Sequence, residues 1–165
     1  MGNAELIEKI KSLYLDFDYD ADVDYFSRFF DESKDKSVLE IGSNEEPVAN
    51  ILSMIGFNVI GVDTRDYIEE KRKFGNLPLN FKYVKADFNS LNIQSSVDVI
   101  IALSTIEHTG LTCYGNPFYY NGDAITMMNI WRALKPGGKA YITVPVGRME
   151  ASISEWNVYS KEDLT

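Results

Sequence analysis

Val38-Leu-Glu-Ile-Gly-Ser-Asn44 decides the reading of this chain: a short apolar run enters a glycine turn, and a helix begins near Glu46-Pro47. Proline suits the first helical turn, where its missing N–H costs no hydrogen bond. A strand, a tight turn and a helix N-terminus together gather backbone N–H groups and the positive end of a helix dipole. That is an anion site. Working outward, short apolar runs recur at Val59–Val62, Phe81–Val84, Val97–Leu103 and Ala140–Val144, with helical stretches at Glu46–Ile55 and Asp123–Leu134. Strands that alternate with helices predict parallel pairing, because each parallel connection must cross a face of the sheet. Right-handed crossovers then leave few topologies. Val97-Asp-Val-Ile-Ile-Ala-Leu103 is apolar on both strand faces, as a central strand covered from each side must be. The expected fold is α/β, a doubly wound, mostly parallel sheet of about five strands.

The 165 residues form one domain overall. Residues 1–35 read as an N-terminal helical segment packed on the core: Leu6, Ile7, Ile10, Leu13 and Tyr14 share one helical face. Residues 36–165 form the ligand-binding core. Between them, Asp16 to Asp24 alternates acids with other residues. A calcium loop would need a glycine at its sharp turn and a closing glutamate where Ser27 stands, so a solvated, capped connection is the expectation.

Hydrophobic content of 45% and charged content of 25% are ordinary for a globular protein. The net charge of -9, without a Lys/Arg cluster, argues against a nucleic-acid partner, which would require displaced counterions. The lone Cys113 permits no internal disulfide, residues 1–15 are no signal peptide, and no apolar run could cross a bilayer. A cytoplasmic protein with no membrane partner is the expectation.

Strand ends supply the candidate ligand groups. Asp63 ends the second strand 21 residues after Gly42, about the spacing at which an acid reaches ribose hydroxyls in such folds. Asp87 follows the third strand in Lys85-Ala-Asp-Phe88. Gly42, Asp63 and Asp87 would thus face one crevice at the carboxyl edge of the sheet. Individually, each could be a turn residue or a solvated cap. Their joint placement favours a binding site.

From Ser37 to Val144 the chain resembles the class I S-adenosylmethionine (SAM)-dependent methyltransferases, whose core is Rossmann-like. Leu39-Glu-Ile-Gly-Ser-Asn44 is similar to their first motif, and Leu134-Lys-Pro-Gly-Gly138 to their turn into the fifth strand. The resemblance implies SAM as cofactor, with Glu40, Gly42, Ser43 and Asn44 around its methionine part. Asp63 would hold the ribose, Asp87 and Phe88 the adenine, and Ser104 would border the same site. Asn44 stands where the motif has a second glycine; asparagine tolerates left-handed backbone better than most residues. The resemblance also implies a C-terminal antiparallel hairpin. The chain stops at Thr165, so that hairpin is expected to be missing and the exposed edge open to a second copy in a homo-oligomer.

Ser104-Thr-Ile-Glu-His108, the following loop to Gly122 and Val144-Pro-Val-Gly-Arg148 resemble a methyltransferase-like family of unassigned reaction, associated with cell-surface sugar genes. That implies a small-molecule or glycan acceptor, with Glu107 and His108 facing the transferred methyl. His108 could act as general base, its ordinary pKa lying near 6.5, or could be a structural histidine. Tyr114 and Tyr119 could stack on an acceptor or pack as a satellite cluster. Arg148 could pair with an acidic acceptor group or stay in solvent. Relatives that bind metal through a similar pair carry a further Glu where Ser104 stands and a second His, so no metal is expected. The rival reading is a catalytically silent, methyltransferase-like module that binds a nucleoside or a partner protein. A nicotinamide oxidoreductase ranks third, because its pyrophosphate needs more glycine in the first turn.

Overall fold

The structure, a computed structural model, describes residues 35–43, 48–54, 56–66, 80–147 and 156–164. The expected helix within residues 1–35, Asn44 and Arg148 lie outside the described residues.

The described elements are β1 (Ser37–Ile41), α1 (Val48–Met54), β2 (Asn58–Asp63), β3 (Phe81–Lys85), β4 (Val97–Leu103), α2 (Gly122–Ala133) and β5 (Leu134–Thr143). They form a five-stranded sheet in the order β3-β2-β1-β4-β5, and every pairing is parallel. From β1 in the middle of the sheet the chain winds outward through β2 and β3, then returns to the other side through β4 and β5. The strand order therefore reverses between β1 and β4, and open α/β sheets bind ligands beyond the carboxyl ends at such a switch.

Side-chain alternation distributes two cores over the two faces. Val38, Val59, Phe81, Val99 and Ile101 pack with Val48, Ala49 and Leu52 of α1. Leu39, Ile41, Ile100 and Ala102 pack with Ile130 and Ala133 of α2. β4 is buried on both faces, Val99 through Ala102 being wholly inaccessible, which explains its unbroken apolar run. At the opposite, amino edge, Asp98 Oδ2 accepts from Ser37 N at 2.9 Å, Ser37 Oγ at 2.7 Å and Lys135 Nζ at 2.8 Å. One carboxylate thus ties together the beginnings of β1, β4 and β5.

β5 begins earlier than the apolar pattern suggests. Leu134 pairs with Val97 and Lys139 with Val99, so the residues of the Leu134–Gly138 stretch bulge opposite a single step of β4. Pro136 cannot donate to a ladder, and an edge strand with a bulge is where a sheet tolerates it. The likeness of this stretch to a turn and its place in a strand are thereby both accounted for.

Candidate functional site: a crevice at the carboxyl edge of the sheet

β1 delivers Gly42 with φ +79°. A Cβ there would collide with Thr105 Oγ1, so both conformation and space require glycine. Gly42 N donates to Val62 O at 2.8 Å and Ser43 N to the same carbonyl at 3.3 Å, which fastens the turn to β2. Thr105 Oγ1 donates to Leu103 O at 2.7 Å and lies 3.2 Å from Ile41 O, joining the ends of β1 and β4.

Glu40 is 1% exposed. Its Oε2 accepts from Ser43 Oγ at 2.7 Å and from Ala49 N, in the first turn of α1, at 3.0 Å. A buried carboxylate on helix N–H groups is favourably placed, and Glu40 shapes the turn from beneath. Ser43 is buried with it, so its hydroxyl serves the turn.

Asp63, at the end of β2, is buried. Its Oδ1 accepts from Arg65 N at 2.9 Å and Arg65 Nε at 3.0 Å, and its Oδ2 from Arg65 Nη2 at 3.1 Å. The Arg65 guanidinium also lies 4.8 Å from the centroid of the Tyr114 ring, and Tyr114 meets the His108 ring edge-on at 5.0 Å. Thr64 Oγ1 donates to Tyr114 O at 3.1 Å. Asp63, Arg65, Tyr114 and His108 therefore form a continuous chain of contacts across the crevice, from the end of β2 to the end of β4. Tyr114 holds this place with a left-handed backbone, φ 55°.

Asp87 caps the turn Phe88–Ser90 by accepting from Asn89 N at 3.0 Å. The Phe88 ring is 5% exposed within the α2-side core, so it offers the crevice its backbone rather than its ring. Ser104, just beyond β4, is exposed and left-handed at φ 41°, and its N–H donates to Thr143 O at 3.1 Å. Strain of this kind concentrates at functional sites.

Glu107 and His108 occupy the turn Ile106–His108 that follows β4. His108 is half-buried, with Nδ1 3.7 Å from Cys113 Sγ and its carbonyl accepting from Asn116 Nδ2 at 3.3 Å. Glu107 is 3% exposed, and burial pushes its carboxyl pKa up while its own N–H, His108 and Ser104 pull the other way. Tyr119 turns away toward α2: its hydroxyl accepts from Asn89 Nδ2, which also reaches Thr126 Oγ1 at 2.8 Å. Burial raises the Tyr119 pKa. Tyr119 thus anchors the loop, whereas Tyr114 lies over the crevice. Arg65 and Thr105 did not stand out in the sequence, although an acid two residues before an arginine at a strand end is a readable pattern.

The five-stranded parallel sheet in this order is a Rossmann-like fold of the kind found in SAM-dependent methyltransferases. Residues 35–164 match the family described as Caenorhabditis protein of unknown function, DUF268, and the chain belongs to that family. Ubiquinone biosynthesis O-methyltransferases of two Rickettsia bellii strains are 28% identical over 142 residues, covering 84% of this chain and 47% of theirs. The chain thus spans about half the length of these curated relatives. Haemonchus contortus phosphoethanolamine N-methyltransferase 2, solved with SAM, superposes with TM-score 0.66 at 21% identity, over 88% of this chain and 35% of that one. A SAM-dependent methyltransferase from Mesorhizobium loti superposes with TM-score 0.58 at 16% identity, over 76% and 54%. No helix among the described residues is long and apolar enough to cross a membrane.

Proposed function

We propose that the chain is the cofactor-binding core of a SAM-dependent methyltransferase that acts on a small-molecule or glycan-related acceptor by direct transfer. The observation that carries this is the meeting of the Gly42 turn, the Asp63 carboxylate and the Glu107–His108 turn along one carboxyl edge, at the switch in strand order.

The donor set suits the cofactor. The Asp63 carboxylate fits a ribose diol, the Gly42 turn borders the place of the homocysteine end, and the capped turn after Asp87 borders that of the adenine. When bound, SAM would supply an electrophilic methyl on a sulfonium. The protein's part is mostly alignment, worth roughly 7–11 kcal/mol in favourable cases. Tyr114 stands between Arg65 and His108 at the crevice, while the His108 imidazole can hold or accept the acceptor's proton. Arg148 remains a proposed contact to an acidic group on the acceptor.

Calorimetric titration with SAM and with S-adenosylhomocysteine tests the reading. Saturable binding of both supports it. Absence of binding at millimolar ligand would leave a silent scaffold.

A further inference from the structure

Two glutamates are buried at the carboxyl edge, and the fold treats them differently. The Glu40 carboxylate is met by Ser43 and Ala49. Oε2 of Glu107, by contrast, is buried without any hydrogen-bond partner, the sole such side-chain oxygen or nitrogen among the described residues. Folding rarely leaves a carboxyl oxygen in this condition unless something else supplies the donor.

Its surroundings show why the protein does not. The segment 156–159 is fastened beside the ends of β4 and β5. Asn157 N donates to Glu107 O at 2.9 Å, Tyr159 N to Pro145 O at 3.1 Å, and Gly147 N to Tyr159 O at 3.0 Å. That brings the Tyr159 phenol into the field of Glu107, but its proton is already committed, donated to Asp123 Oδ2 at 3.1 Å. Burial and the Asp123 charge push the Tyr159 pKa upward, so the proton stays there. Among the described residues no Lys or Arg pairs with Glu107. Ser104 meets the Glu107 carboxyl, but among the described residues nothing donates to Oε2, and the nearby phenol has its hydrogen spent on Asp123.

Building on the methyltransferase reading, we propose that Glu107 recognises a nitrogen nucleophile: the methyl acceptor is an amine whose N–H donates to Oε2. The sign of charge selects nitrogen over oxygen. An alcohol or phenol attacks as an oxyanion, which a neighbouring carboxylate repels. An amine attacks neutral and gains positive charge, which the carboxylate stabilises where it develops. The amine nitrogen spends its lone pair on the new C–N bond, the C–S pair returns to the donor sulfur, and the surplus N–H proton, held toward Oε2 during attack, passes to the His108 imidazole.

The test uses 15N-labelled protein saturated with S-adenosylhomocysteine and titrated separately with ethylamine hydrochloride, ethanol and sodium acetate. Ethylamine should shift the amides of residues 106–108 and 157–159, and ethanol and acetate should not. Glu107→Gln should weaken ethylamine binding by about tenfold or more while S-adenosylhomocysteine affinity changes less than about twofold. Equal or larger responses to ethanol or acetate overturn the proposal, as does undiminished ethylamine binding in the variant. The comparison of probes on the unaltered protein stands alone if the variant does not fold. Failure of S-adenosylhomocysteine to bind would remove the methyltransferase reading itself, whereas its binding without amine selectivity removes only this inference.

Discussion

Asp63 and Arg65 should respond in opposite directions to substitution. A carboxylate has about four lone-pair sites. Arg65 fills two on Oδ1 and one on Oδ2. A ribose diol needs two acceptors, so one Arg65 contact must break before both hydroxyls can bind. Hydrogen bonds to charged groups are worth about 1.5–3 kcal/mol. Asp63→Ala removes the acceptors outright and should weaken S-adenosylhomocysteine binding by about 10–150-fold. Arg65→Met keeps the stem over Tyr114, frees Oδ2 and removes the competing donor. It should tighten binding by several-fold, about 3–10. It should also lower thermal stability, because the Asp63 side chain is only 4% exposed and keeps a single backbone donor. Calorimetry on the folded variants reads both effects. Unchanged affinity in Asp63→Ala, or weakening in Arg65→Met as severe as in Asp63→Ala, would refute this reasoning.

His108→Gln should leave S-adenosylhomocysteine affinity intact and slow homocysteine-coupled turnover by about 10²–10⁴-fold; full activity would mean that alignment alone carries the reaction. Gly42→Ala should destabilise by at least about 1–2 kcal/mol in urea denaturation, from the left-handed backbone alone, and Thr105→Ala should restore only the part owed to the collision. Asp98 is held down to about 2, mainly by the Lys135 hydrogen bond and then by Ser37. Its depressed pKa contributes stability that is present above about pH 4 and lost as pH falls toward 2. Asp98→Asn should cost about 1 kcal/mol at neutral pH, after allowance for solvent screening, and should flatten the acid limb between pH 4 and 2. An unaltered acid limb in the variant contradicts that assignment.

The sheet was legible because its signals are local. β4 announces itself as central through Val97–Leu103, and Gly42 and Asp63 fall at strand ends by counting. β5 was less legible because Pro136, Gly137 and Gly138 read as a turn, while the ladder resumes around them through a bulge at the sheet edge. The site divides in the same way. Asp63 is visible from spacing, but its pairing with Arg65 and the lodging of Tyr114 between Arg65 and His108 depend on how the loop after β4 folds back over β2. Tyr119 and Tyr114 look alike in the sequence, yet one is bound to Asn89 and the other lies over the crevice. The burial of Glu107 was illegible for a different reason. Asn157 and Tyr159 reach it from the far end of the chain, and nothing near Glu107 foretells them.

A crystal structure with S-adenosylhomocysteine at saturating concentration tests the central claim most directly. The account predicts the ligand across the carboxyl ends of β1 and β2, its homocysteine on the Gly42 turn and its ribose hydroxyls on Asp63, with Arg65 displaced from Oδ2. A ligand bound elsewhere, or an empty crevice with the Asp63–Arg65 pair intact, would contradict it.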